Sequence, residues 1–265
     1  MNRSVFALAR IAILCWGLAA QAAGESESLQ KMFQKTKWFA DRGDREAERD
    51  IGAMYNSGLG VKEDPIQAVK WYLRSAKQGD ALAQFSLGVM YKDGRGVKKD
   101  PAHAVQWFQK SADQGNAAAQ LSLGVAYADG KGIRKDAAEA LKWFRLSAEQ
   151  GEASAQARLG NIYTEGKGTK KDAVEAWKWF RKSGEQGNTF SQQNLGRIYE
   201  TGSGVDKDFA EAYAWYSLAA TAVPDAQKSR DRLEARISAE RVAEGQKRTQ
   251  ELREKFGLKV APKED

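Results

Sequence analysis

The 265-residue chain carries 42 lysines and arginines against 35 acidic residues, a formal charge of +7 at pH 7, with one cysteine and one histidine. A lone thiol excludes a disulfide framework, and the shortage of cysteine and histidine leaves little from which to build a zinc site or a catalytic relay. The basic excess bears on solubility and on general attraction for anions rather than on any one activity.

In chain order, Arg3 and Arg10 make a basic start, Ile11 to Ala20 a short apolar core, and Ala20-Gln21-Ala22 a run of small residues. Residues 1–22 therefore read as a secretory signal peptide cut after Ala22. Their apolar core falls short of the roughly 20 residues that span a bilayer, so the expectation is an exported chain with no transmembrane anchor after cleavage, periplasmic or alternatively secreted. Cys15 leaves with the signal peptide, and so do two positive charges. Residues 23–42 follow as an N-terminal capping helix, with Leu29, Met32, Phe33, Phe39 and Ala40 placed on one apolar stripe.

From residue 43 the chain repeats every 36 residues: Gly43, Gly79, Gly115, Gly151 and Gly187; Gly52, Gly88, Gly124, Gly160 and Gly196; Tyr55, Tyr91, Tyr127, Tyr163 and Tyr199; Asp64, Asp100, Asp136, Asp172 and Asp208; Trp71, Trp107, Trp143, Trp179 and Trp215. A period of this length marks units that bury their apolar faces only against their neighbours. Five units result: 43–78, 79–114, 115–150, 151–186 and 187–222. In the second, Gly79 suits a left-handed helix end and Asp80 an N-cap, and a helix A runs to about Lys92 with Ala83, Leu87 and Tyr91 on one face. Gly88, in mid-helix, costs about 1 kcal/mol against alanine, so five glycines at that place point to a close approach by another helix. After a glycine-rich loop, Asp100 caps a helix B that starts at Pro101 and carries Ala104, Trp107, Phe108 and Ala112 at helical spacing. The tryptophans read as packing residues, and residues 223–258 as two capping helices divided at Ser238. Leu233 and Ile237 are expected to cover the fifth unit. Val242, Leu252 and Phe256 are the few apolar anchors of the last helix, which leaves open whether it packs or projects; residues 259–265 form a charged tail.

The pattern Gly-Asp-Ala-x-Ala-Gln-x-x-Leu-Gly-x-x-Tyr-x-x-Gly-x-Gly-Val-x-x-Asp, followed by Ala-x-x-Trp-Phe-x-x-Ser-Ala, resembles the Sel1-like repeat, a relative of the tetratricopeptide repeat, over residues 43–222. Departures are small: Arg49-Asp50-Ile51 in the first unit, Thr169 and Gly184 in the fourth, and an Ala-Ala-Thr end in the fifth. The resemblance implies an all-α fold, a right-handed α/α superhelical solenoid with terminal caps, used for protein–protein contact in bacterial envelope regulation, signalling or host interaction. It also implies that helix A lines the concave face, where the variable residues Leu82, Phe85, Val89, Leu121, Val125, Arg158, Asn161, Phe190, Asn194 and Arg197 become candidates for holding a protein or peptide. Phe85 and Leu121 equally fit packing between adjacent units.

The inter-helix loops add a basic ridge of Lys62, Arg95, Lys98, Lys99, Lys131, Arg134, Lys135, Lys167, Lys170, Lys171 and Lys207. It reads either as a solvated edge or as an attractor for anionic glycans or an envelope surface. Nucleic acid is not expected, because no aromatic residues interleave with the ridge to stack bases. No cofactor or metal is expected, and no enzyme: His103 falls on the exposed face of helix B, there is no Ser-x-x-Lys, and the loop glycines lack a phosphate-cradling ending. Cysteine-rich members of the family it resembles are linked to β-lactam or peptidoglycan chemistry, but their paired cysteines are absent here.

Overall fold

A computed structural model describes residues 23–258; the signal-like segment 1–22 and the tail 259–265 lie outside the described residues. Among these there are thirteen helices and no strand. Helix α1 (Ala23–Ala40) precedes five A/B pairs: α2 (Arg45–Ser57) and α3 (Pro65–Lys77), α4 (Ala81–Asp93) and α5 (Pro101–Asp113), α6 (Ala117–Asp129) and α7 (Ala137–Glu149), α8 (Ala153–Glu165) and α9 (Ala173–Glu185), α10 (Thr189–Thr201) and α11 (Phe209–Ala219). Helices α12 (Pro224–Glu234) and α13 (Ala239–Phe256) end the chain. Two compact units are formed, one by residues up to Ala119 with Lys131–Ile133, the other by Gln120–Gly130 and the residues from Arg134 onward.

Helix boundaries follow the capping chemistry. Asp64, Asp100, Asp136, Asp172 and Asp208 each accept backbone N–H bonds in the first turn of a helix B. Asp44, Asp80, Asn116, Glu152 and Asn188 do the same for helices A. These bonds satisfy donors that no helix can satisfy internally. Gly79 takes φ +87° between α3 and α4, a conformation that any other residue adopts only under strain.

The mid-helix glycines have a sharper cause than the approach of a helix backbone. A Cβ on Gly88 would lie 2.5 Å from Cδ1 of Phe108, and on Gly52, Gly124 and Gly160 it would lie 2.6 to 2.7 Å from the rings of Tyr72, Phe144 and Phe180. Gly196 stands in the same relation to Tyr216. The ring that follows each repeated tryptophan thus packs against the helix A glycine of its own pair. In the first four pairs it is also the more buried of the two: Phe108 is 2% exposed while Trp107 is half-buried. The tryptophans of those four pairs each lie under a cation, as with Lys110 over Trp107 at 4.2 Å and Lys182 over Trp179 at 4.5 Å, whereas Trp215 is fully buried and donates to Glu211.

Polar side chains bond helices within each pair and between neighbouring pairs. In the first unit Gln114 Nε2 donates to Gln84 Oε1 at 2.7 Å, and Gln84 Nε2 donates to the Ala76 carbonyl of the preceding pair at 3.2 Å. In the second, Gln186, Gln156 and the Ala148 carbonyl repeat the relay. Ser75, Ser111 and Ser183 donate to the first carbonyls of α2, α4 and α8. Gly96 and Gly132 lie against the carbonyls of Pro65 and Pro101, and Gly168 against that of Ala137, so each loop is seated on the previous helix B.

At α2 the relay glutamine is replaced by Glu48, which is 1% exposed. It accepts from Gln78 Nε2 at 2.7 Å and pairs with Arg74 at 2.8 Å. A carboxylate has no proton for the Ala40 carbonyl, and Arg74 Nη2 donates there in its place at 3.4 Å.

At the C-terminus Leu233 is fully buried with Ala212, Tyr213 and Tyr216, and Ile237 and Val242 pack against them. Helix α13 also packs. Leu252 joins the core that contains Trp215 and Leu218, Gly245 lies against the Tyr213 ring, and Arg248 Nε donates to Glu211 at 2.5 Å. Phe39, expected on the buried stripe of α1, is 43% exposed; the buried face is carried by Leu29, Met32, Phe33 and Ala40.

Two outcomes test this packing. Gly88→Ala should lower stability in urea titration by about 1–3 kcal/mol through overpacking against Phe108, whereas an ordinary helix site would gain about 1 kcal/mol; adding Phe108→Leu should recover part of the loss. Glu48→Gln should be nearly neutral because it restores the relay residue of the other pairs, while Glu48→Ala should cost about 1–3 kcal/mol by leaving the Gln78 amide and the Ala40 region under-bonded.

Candidate functional site

The candidate residues lie on helices A, away from the glycine face. In the first unit Leu82 is 38% exposed, and Phe85 and Val89 are half-buried. The Phe85 ring lies 5.8 Å from that of Phe108, so Phe85 is partly committed to its own pair. The equivalent stripe on α2 is closed by charge. Arg49 bonds Asp50 at 2.8 Å and Asp80 at 3.2 Å. Burial opposes the Arg49 charge, yet Asp50, Asp80 and Glu46 together hold its pKa above the ordinary value.

In the second unit Leu121 and Val125 are half-buried against the core of α7 to α11. Their packing role is thus established, and only an edge of each is offered to solvent. Arg158 and Arg197 are exposed and Asn161 is half-buried. Phe190 is 44% exposed with its ring 6.3 Å from Phe180. Asn194 departs from expectation: at 8% exposure it is buried, donates to the Phe190 carbonyl at 2.8 Å and accepts from Arg197 Nη2 at 2.8 Å. Its task is to hold Arg197 rather than to meet a ligand.

Sequence reasoning missed the arginines that continue past α10. Glu200 accepts from Tyr216 Oη at 2.9 Å and from Arg236 Nη1 at 2.9 Å, with Arg232 at 3.9 Å. Burial, then the Glu200 bond, push the Tyr216 hydroxyl well above its usual range. The only signal in the sequence is that Arg236 falls one 36-residue step beyond Glu200.

The loop ridge is partly neutralised. Arg95 pairs with Glu63 at 2.6 Å, and Lys167 pairs with Glu165. Lys98, Lys99, Arg134, Lys135, Lys170 and Lys171 stay exposed. The stems of Lys99, Lys135, Lys171 and Lys207 lie over the loop glycines Gly94, Gly130, Gly166 and Gly202.

No catalytic grouping assembles around His103. Its Nδ1 lies 2.7 Å from Asp100 Oδ2, and its ring stacks on Tyr91 at 5.4 Å. The backbone N–H of His103, then its side chain, hold the Asp100 carboxyl below the usual aspartate range. Among the described residues no group of three or more His, Cys, Asp or Glu side chains is placed to hold a metal ion, and no helix is long and apolar enough to cross a membrane. Two open clefts, one beside Phe33 and Gly60 and one between α11 and α13, gather none of the candidate residues.

A family model described as the Sel1 repeat matches residues 45–80, 81–116, 117–152, 153–188 and 189–222. Among solved structures the chain is similar to c5321, a protective antigen present in uropathogenic Escherichia coli strains displaying an SLR fold, with 41% identity and a TM-score of 0.70 over 71% of this chain and 40% of that one. The match thus spans well under half of that antigen's length. A Sel1 repeat protein from Oxalobacter formigenes is 34% identical, with a TM-score of 0.67 over 75% of this chain and 84% of that one. Immunity protein Pa5087 from Pseudomonas aeruginosa, 20% identical with a TM-score of 0.51 over 83% of this chain and 82% of that one, shares the fold alone. A comparison with curated protein sequences gave no match.

The cap geometry has a pH consequence. Because the folded pKa of Asp100 is depressed, its contribution is complete above the unfolded aspartate value and is lost as pH falls through the lowered folded value. An NMR titration should show this carboxyl ionising below ordinary aspartates, and His103→Ala should move it back toward them.

Proposed function

Because the chain belongs to the Sel1 repeat family, whose helical solenoids generally mediate protein–protein interaction, we propose that it is a non-enzymatic scaffold holding a protein or peptide on the variable stripe of its helices A. The observation that carries this reading is the exposure of Leu82 and Phe190 at positions that change from pair to pair, while caps, rings and relay residues repeat. Large apolar side chains left in water on an otherwise repeating frame are the residues a bound protein would use as anchors. In the second unit Arg158 on α8 and Arg197 on α10 are exposed, and Asn194 holds Arg197; a guanidinium fixed in advance binds carboxylate or carbonyl oxygens at lower entropic cost.

The signal-like segment supports work in the envelope, as a regulator or assembly factor. The similarity to a protective antigen of uropathogenic E. coli favours a second reading, a secreted factor that meets a host. The basic loops supply a general attraction for anionic surfaces in either setting.

Cross-linking in intact cells followed by mass spectrometry identifies the partner. A chain carrying Leu82→Ser, Phe190→Ser, Arg158→Ala and Arg197→Ala should keep its helical circular dichroism, since all four side chains are exposed, and lose that partner by at least tenfold. Capture at the wild-type level by this variant would remove the stripe from consideration.

A further inference from the structure

Helix α1 closes one end of its unit, and a terminal cap is expected to turn a polar face outward. It does so only in part. Its buried side is supplied by Leu29, Met32, Phe33 and Ala40, and the exposed side carries Lys31, Gln34, Lys35, Trp38 and Phe39, spaced by three, one, three and one residues, with Arg42 in the turn that follows. Trp38 is 52% exposed and Phe39 43%. Their rings meet edge to face at 4.9 Å, and the Arg42 guanidinium lies 3.5 Å over the Trp38 ring while donating to the Trp38 carbonyl at 2.8 Å.

The repeat shows how unusual these two residues are. One period later the Trp38 position is Arg74, and after it Lys110; the Phe39 position is Ser75 and then Ser111, both fully buried. Nothing in the packing of α1 calls for aromatic rings there. The charges around them have one sign in excess. Glu27 pairs with Lys31 and Asp41 with Lys37, both at 2.7 Å, and Asp44 caps α2. Lys35 and Arg42 have no acidic partner among the described residues.

We propose that this stripe of α1 docks on an anionic membrane surface, with Trp38 and Phe39 entering the headgroup boundary and Lys35 and Arg42 facing lipid phosphates. Tryptophan suits that boundary because its ring is apolar and its N–H stays wet. Basic residues beside an apolar helix face add attraction for anionic lipid that salt screens. This surface is separate from the helix A stripe, so neither proposal depends on the other.

The test uses the full chain with extruded vesicles of phosphatidylglycerol and phosphatidylcholine, and of phosphatidylcholine alone, read by co-sedimentation. Wild type should pellet with the anionic vesicles, weakly or not at all with the neutral ones, and less as salt is raised. Lys35→Gln and Arg42→Gln should each lower partitioning about fivefold, the equivalent of one interfacial cation. The pair Trp38→Ser and Phe39→Ser should lower it at least tenfold with unchanged circular dichroism. Comparing variants of one chain cancels any contribution of residues 1–22. Pelleting of all three variants at the wild-type level, equal pelleting with neutral vesicles, or no pelleting with anionic ones would overturn the proposal, including the case in which the stripe receives an acidic protein instead.

Discussion

An aromatic ring seated on a glycine sets the distance between the two helices of every pair, and the remaining contacts depend on that distance. Tyr72 on Gly52, Phe108 on Gly88, Phe144 on Gly124, Phe180 on Gly160 and Tyr216 on Gly196 are one contact made five times. The ring brings roughly 2–3 kcal/mol of apolar burial per pair, against the cost of about 1 kcal/mol that a mid-helix glycine imposes. Once the helices are this close, the glutamine relay and the serine bonds fall within reach. The serine bonds and the Gln114–Gln84 link tie the end of a helix B to the helix A of its own pair, and the Gln84 and Gln156 amides reach the end of the preceding helix B. The ring therefore fixes spacing within a pair, and the second link of the relay fixes succession between pairs. At Glu48 the relay loses its donor and an arginine from α3 supplies one, which shows that the bond, not the residue type, is what the frame requires.

Most of this was legible in the sequence because it rests on residues that repeat. The caps at Asp64 to Asp208, the left-handed turn at Gly79 and the need for space at Gly88 each follow from chemistry that involves one residue and its immediate backbone. The identity of the intruder at Gly88 was harder to read. Both Trp107 and Phe108 are apolar and adjacent, and one position is a rotation of about 100° on a helix. Periodicity places both on the inner side, and only packing shows that the phenylalanine goes under while the tryptophan lies at the rim beneath Lys110. The same one-position ambiguity explains Phe39 and Asn194. Phe39 sits next to the buried Ala40 but on the far side of the helix edge, and Asn194 sits next to the buried Leu195 and is drawn in to bond the Phe190 carbonyl.

The fate of α13 was legible by a route other than its own composition. Its charge argues against burial, but its partner surface argues for it. Along the outer face of the helices B, Lys70, Gln106, Lys142 and Lys178 occupy the place that α11 gives to Ala214, and Arg74, Lys110, the exposed Leu146 and Lys182 the place it gives to Leu218. A helix apolar all round is a covered helix. Ala214 and Leu218 are accordingly buried, and α13 supplies Gly245 where the Tyr213 ring needs room and Arg248 where Glu211 needs a partner. The charged residues of α13 then face water, which is why it carries so few apolar anchors.

The same comparison of equivalent positions separates frame from function. Where a position is constant, the structure shows it serving as a cap, a ring seat, a relay bond or a packed aromatic. Where it varies, the side chain is either enlisted in packing, as Leu121 and Val125 are, or tied to a neighbour, as Arg49 and Asn194 are, or left in water. Leu82, Arg158, Phe190 and Arg197 are the helix A candidates left most open after that division, and Trp38 and Phe39 are left open on α1. A large ring gains about 2–3 kcal/mol when fully removed from water, so rings already near half exposure stand to gain about half of that. In the reading proposed above, a partner on the helices A and a surface on α1 would supply that cover.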